Sequence, residues 1–95
     1  MKITLKAYSN LRRVVGKIAS VIEIADGSTL ESFLSVLVEK YGKAFEKENR
    51  SALKESFSRE YNVYLSGRLV SPSDYPQTRL QDQDEVAIVR PVGGG

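Results

Sequence analysis

Hydrophobic and polar positions alternate with a period of two at both ends of the chain and follow a helical period in between. Ile3, Leu5 and Ala7 alternate with Lys2, Thr4, Lys6 and Tyr8, which predicts a strand with one buried face. Ser9 to Gly16 is polar at its start, carries a short apolar patch and ends on glycine, a pattern that suits a loop or a single helical turn. The β-branched run Val21-Ile22-Glu23-Ile24 predicts a second strand, stopped by the turn chemistry of Asp26-Gly27, and the two strands are expected to pair as an antiparallel hairpin. Ser28-Thr29-Leu30-Glu31 has the S-x-x-E form of a capping box, in which a hydroxyl and a carboxylate satisfy free amides at a helix start. Leu30, Phe33, Leu34, Leu37, Val38 and Tyr41 then form one continuous apolar face, with Gly42 where a C-terminal cap belongs. This predicts a main helix over residues 30–41, packed against a sheet.

Lys43 to Glu60 is charged, with Phe45, Leu53 and Phe57 as sparse apolar positions, and a short second helix is expected to end before Tyr61. Tyr61, Val63 and Leu65 alternate with polar neighbours, Ser66-Gly67 signals a tight turn and Leu69-Val70 returns, which predicts a hairpin. Ser71-Pro72-Ser73-Asp74-Tyr75-Pro76 reads as a turn or short 3₁₀ stretch because its prolines remove donors. Asp82-Gln83-Asp84 is a further turn, and Glu85 to Arg90 a last strand with Val86 and Ile88 on one face. The expected class is α+β, with a mixed sheet of about five strands crossed by one main helix.

Composition narrows the chemistry. A chain of 95 residues with 41% hydrophobic content supports one small core, so a single domain over residues 1–90 is expected, followed by a flexible extended tail over 91–95. There is no cysteine and no histidine, which removes disulfides, thiolate and imidazole metal sites, and the usual nucleophile-base pairs. No side-chain catalytic residue and no metal site is expected, and the chain is read as not an enzyme. Fourteen basic and twelve acidic residues are interspersed along the chain, a weak footprint for nucleic acid. No window approaches the roughly 18 apolar residues of a membrane span, and the first residues read as a strand rather than a leader. With no cysteine present, a soluble, cytoplasmic protein with neither nucleic-acid nor membrane partners is expected. Arg12 and Arg13 fit a solvated loop better than an acidic-partner contact, Arg90 fits an exposed strand end, and Asp82, Asp84 and Glu85 fit turn chemistry better than a cation site.

Two segments carry a family resemblance. Tyr8-Ser9-Asn10-Leu11-Arg12-Arg13-Val14-Val15-Gly16 resembles the aromatic-x-x-L-R-x-x-x-G segment that follows the first strand of the MoaD-like sulfur carriers. Leu80-x-Asp82-x-Asp84-Glu85-Val86, followed by Pro91-Val92-Gly93-Gly94-Gly95, resembles their L-x-D-x-D-E-V to P-P-V-x-G-G ending. These proteins are small subunits of molybdopterin synthase, related to ThiS and ubiquitin, and the resemblance implies the ubiquitin-like β-grasp fold for the whole chain. Arg90 departs from the apolar or proline residue of many members, and Gly93 makes the ending a triglycine. The long charged stretch from Lys43 to Glu60 resembles the molybdopterin-synthase carriers more than the compact ThiS type.

The resemblance implies that Gly95 is the adenylation and thiocarboxylate site and that Pro91, Val92, Gly93 and Gly94 thread into a partner. An E1-like, MoeB-like enzyme consumes ATP to adenylate Gly95, a sulfurtransferase or other persulfide donor supplies sulfur, and a MoaE-like large subunit receives it for molybdopterin synthesis. The carrier itself binds no cofactor. Conjugation of Gly95 to lysines as a protein modifier, or sulfur delivery to thiazole or tRNA thiolation, remain alternatives because all start from the same activated glycine. A non-catalytic interaction module with incidental glycines is the third. Fully extended, Pro91 to Gly95 spans roughly 17 Å, enough to enter a buried site. Ordering five residues costs about 5–10 kcal/mol, comparable with the ~8 kcal/mol of a micromolar complex, so an apolar face of the sheet must dock as well. Pro91 lowers part of that cost by fixing φ beforehand.

Overall fold

The computed structural model describes residues 1–91. Its elements are β1 (Lys2–Ala7), α1 (Ser9–Val15), β2 (Ala19–Glu23), α2 (Leu30–Asn49), α3 (Leu53–Arg59), β3 (Asn62–Leu65), β4 (Arg68–Val70), a 3₁₀ stretch (Pro72–Gln77) and β5 (Glu85–Val89). The five strands form one mixed sheet in the order β2-β1-β5-β3-β4. β1 pairs with β2 antiparallel and with β5 parallel, and β3 joins β5 and β4 antiparallel. The last strand of the chain therefore lies at the centre of the sheet, the β-grasp arrangement.

The alternation read in the sequence assigns the two faces. Ile3, Leu5, Ala7, Val63, Leu65, Val86 and Ile88 point to the helix side and are buried, and α2 covers them with Leu30, Phe33, Leu34 and Leu37. Burying each such side chain contributes roughly 1.5–3 kcal/mol, so the period-two and period-3.6 patterns meet in a single core.

Four local expectations are corrected. The main helix does not stop at residue 41: it runs through Gly42 to Asn49 and is capped by Arg50 at φ 55°, whose N–H donates to the Glu46 carbonyl. An interior glycine costs about 1 kcal/mol, but the extra turns bury Phe45 edge-on against Tyr61, with ring centroids 6.3 Å apart. Burial of the phenyl ring outweighs the glycine. The cap at the start is Thr29, whose hydroxyl accepts the Ser32 amide, while Ser28 Oγ donates to the Ala25 carbonyl. Residues 9–15 form a full helix, α1, rather than a loop or one turn, because Leu11 is completely buried and Gly16 closes the end at φ 92°. The second strand starts and ends earlier than the Val21–Ile24 run, since its pairing with β1 extends back to Ala19 and stops at Glu23.

The remaining elements fall where the sequence places them. α3 ends before Tyr61, the β3–β4 hairpin turns at Ser66 and Gly67 with φ 45° and 89°, and the proline-rich stretch is 3₁₀. Positive φ at both turn residues matches the type I′ geometry that suits the twist of adjoining strands. The acidic turn before β5 is structural: Asp82 Oδ1 accepts the Lys2 amide at 2.7 Å, and Asp84 accepts from the Gln81 amide and from Ser66 Oγ. These bonds to Lys2 hold the Asp82 carboxyl below its ordinary pKa.

Candidate functional site

The site is built where β5 leaves the sheet. β5 is held on both sides: Val86 sits opposite Leu5 and Leu65, and Ile88 opposite Ala7 and Val63. Val89, paired with Asn62, is its last residue, and Arg90 and Pro91 follow exposed to solvent. Among the expected tail residues, Pro91 is thus placed outside the fold, directly beyond the central strand. Val92, Gly93, Gly94 and Gly95 lie outside the described residues.

A polar network braces this exit. The Tyr8 amide donates to the Ile88 carbonyl at 3.3 Å, tying the end of β1 to the end of β5. Two residues on, Asn10 at the start of α1 accepts a hydrogen bond from the Tyr61 hydroxyl through Oδ1 and donates from Nδ2 to Asn49 Oδ1 at 3.0 Å. Asn49 Nδ2 donates in turn to the Phe45 carbonyl at 3.0 Å. Tyr61 is 5% exposed, and burial, with the nearby Glu60 carboxylate, pushes its phenol up to about 12 against the opposing influence of Arg90 and the Asn10 bond. The network joins α1, the end of α2 and the start of β3. Sequence reasoning did not single out Tyr61, Asn10 or Asn49 for this role. Asn10 lies within the aromatic-x-x-L-R segment, but nothing in the charged stretch marks Asn49 as its partner.

The outer face of the sheet carries no helix. The register places Lys6, Ala87, Tyr64 and Leu69 in one row across β1, β5, β3 and β4, with Val89 and Asn62 in the adjoining row nearer the exit. Leu69 is 59% exposed and Val21, on β2, 61% exposed. Lys6 Nζ lies 3.0 Å from Glu85 Oε1 on this face, which raises the ammonium pKa. The face adjoining the exit mixes the apolar or small Val21, Leu69, Ala87 and Val89 with the charged pair of Lys6 and Glu85. Among the described residues no cluster of three or more acidic, cysteine or histidine side chains could hold a metal ion, and no helix is long and apolar enough to cross a membrane.

The model of the ThiS family matches residues 6–95, nearly the whole chain and including its glycine end. The chain belongs to the ThiS family. No curated protein sequence matches it significantly. Among solved structures, the Haloferax volcanii HVO 2177 protein is similar over 100% of this chain and 87% of its own, with 28% identity and a TM-score of 0.76. Small archaeal modifier protein 1 from Methanosarcina acetivorans matches over 99% of this chain and 96% of its own, at 24% identity and a TM-score of 0.70. The complex of subunits 1 and 2 of the molybdopterin-converting factor from Helicobacter pylori contains a chain similar over 100% of both, at 19% identity and a TM-score of 0.62. The two matches below 25% identity establish shared fold, and with the family match they make this ThiS-family member a ubiquitin-like β-grasp chain of the sulfur-carrier type.

Proposed function

We propose that this chain carries sulfur on the carboxyl group of Gly95 and delivers it within a molybdopterin-type synthase. The observation that supports this most is a family match running through Gly95 on a fold whose central strand ends at an exposed exit six residues before that glycine. A carboxylate is a poor acyl donor, so one Gly95 oxygen attacks the α-phosphorus of ATP in an E1-like partner and expels pyrophosphate. A persulfide sulfur then displaces AMP from the acyl carbon, and a thiol cleaves the resulting S–S bond to leave a thiocarboxylate. The carrier contributes a substrate and a docking surface, and its partners contribute catalysis. The Helicobacter pylori complex pairs a similar chain with a second subunit, which supports a large-subunit partner for this one. The outer sheet face supplies the docking area that tail ordering requires.

ATP–pyrophosphate exchange in the presence of the E1-like enzyme tests the reading. Deleting Gly94 and Gly95 abolishes exchange and leaves the thermal midpoint unchanged, and Gly94→Ala slows it because a methyl group enters a slot sized for bare backbone. Exchange by the deletion variant at the wild-type rate would contradict the proposal. A second reading is supported by the likeness to the archaeal modifier protein: the same adenylate passed to a lysine as an isopeptide. Lysines in digested cell protein that carry this tail in isopeptide linkage, as the remnant from Leu80 to Gly95 after trypsin, favour that reading, and their absence across growth conditions counts against it.

A further inference from the structure

The formal charge of +2 conceals an uneven spread of charge along the molecule. The charges alternate in the sequence, but the fold sorts them. β1 and β5 run parallel, α2 ends beside Asn10, and α3 ends just before Tyr61, so the ends of all four elements gather around the exit. They bring Arg13 and Lys17 from α1 and its following loop, Arg50 from the cap of α2, Arg59 from the last turn of α3, and Arg90 to one end of the molecule, all exposed. Arg12 adds to them, and only Glu46, Glu48 and Glu60 oppose them nearby. The far end collects Glu23, Asp26, Glu31, Asp82 and Asp84 with Lys2, Lys54 and Arg79 among them, so it is less positive than the exit. Among the described residues the ion pairs are Met1 with Asp26 and Lys6 with Glu85, so none of the cations around the exit is neutralised by a neighbouring carboxylate.

We propose that these cations form a basic collar that docks an acidic rim around the slot of the adenylating partner and steers the tail into it. This rests on the carrier reading and adds the electrostatic character of the partner's entrance. The collar encircles a single peptide exit from three separate helices instead of lying along one groove, so whatever binds it must also admit a narrow strand of backbone. A slot in a protein surface does that, whereas a phosphate backbone needs a continuous track of cations. The excess of positive charge at the exit end orients the molecule as it approaches, and such steering raises association rates by roughly 10–1,000-fold at low ionic strength.

The test is the ionic-strength dependence of ATP–pyrophosphate exchange, with the full chain and the E1-like enzyme of the same organism, from about 0.02 to 0.3 M salt. For the wild-type chain kcat/KM is expected to fall by about 10-fold or more across this range. The triple variant R13E/R50E/R59E lowers kcat/KM at low salt by about 10–100-fold, flattens the salt dependence and leaves kcat at saturation unchanged. Should that variant fail to fold, R13Q/R50Q/R59Q carries the same test with a smaller, still salt-dependent loss. A kcat/KM that ignores both salt and the charge variants, with exchange intact, overturns the collar and leaves the carrier reading standing. Absence of exchange by the wild-type chain overturns both. Binding of labelled bulk tRNA, read by fluorescence anisotropy, that is submicromolar in the wild type and lost in the triple variant also overturns it, in favour of a nucleic-acid surface.

Discussion

Tyr61 ties the start of β3 to α1 and the end of α2 through one hydroxyl. Its O–H donates to Asn10, which carries the bond on to Asn49, so Tyr61→Phe leaves a half-buried acceptor without its donor and is expected to cost about 0.5–1.5 kcal/mol in urea unfolding. The same residue makes stability depend on alkaline pH. Its phenol is raised from 10.0 to about 12 in the fold, chiefly by burial, so the unfolded chain releases this proton first. Stability from the neutral phenol is full below pH 10 and is lost as pH rises towards about 12, by about 2 kcal/mol or less. Urea midpoints at pH 9 and 11.5 should therefore diverge less in Tyr61→Phe than in the wild type. An equal loss in both proteins would show that another group, such as the Tyr75 phenol that burial also raises, sets the alkaline limit.

At the scale of elements, the helix that passes through Gly42 makes a prediction of its own. Gly42 sits in the helix interior, and a Cβ there would meet Val38 Cγ1 at 3.5 Å, an ordinary contact. Gly42→Ala is expected to stabilise the fold by about 0.5–1 kcal/mol, visible as a raised thermal midpoint, and a lowered one would mean that this glycine serves the fold in another way. The residue also shows how far the sequence could be read. The six-residue apolar stripe from Leu30 to Tyr41 reveals the helix because its members recur at one helical period, Leu30, Phe33, Leu34 and Leu37 buried and Val38 and Tyr41 packed against the core. The continuation to Asn49 rests on Phe45 alone, and its partner Tyr61 is distant in sequence, so the local glycine signal dominated. Strand positions were legible for the same reason as the stripe: Ile3, Leu5, Val86 and Ile88 alternate cleanly. The exit was legible only as chemistry, in Pro91 to Gly95. Its brace was not, because Asn10, Asn49 and Tyr61 are joined by tertiary hydrogen bonds that leave no spacing pattern.

At the scale of the whole molecule, an open sheet face adjoins the exit and the two act together. A tail whose ordering costs roughly as much as a micromolar complex yields needs that face to bind. Leu69 is 59% exposed in the free chain, so Leu69→Asp should leave thermal stability nearly unchanged and weaken the complex with the large subunit by about 10-fold or more in calorimetric titration. Unaltered affinity would move the docking surface elsewhere. The proposed function joins these features, the positive exit, the outer sheet face and Gly95, in one carrier. The direct measurement is the intact mass of the chain after incubation with ATP, the E1-like enzyme and a persulfide donor. The account predicts a species heavier by the replacement of one oxygen by sulfur, located to Gly95 by fragmentation and absent without ATP. An unchanged mass under conditions where the partner forms the adenylate would contradict it.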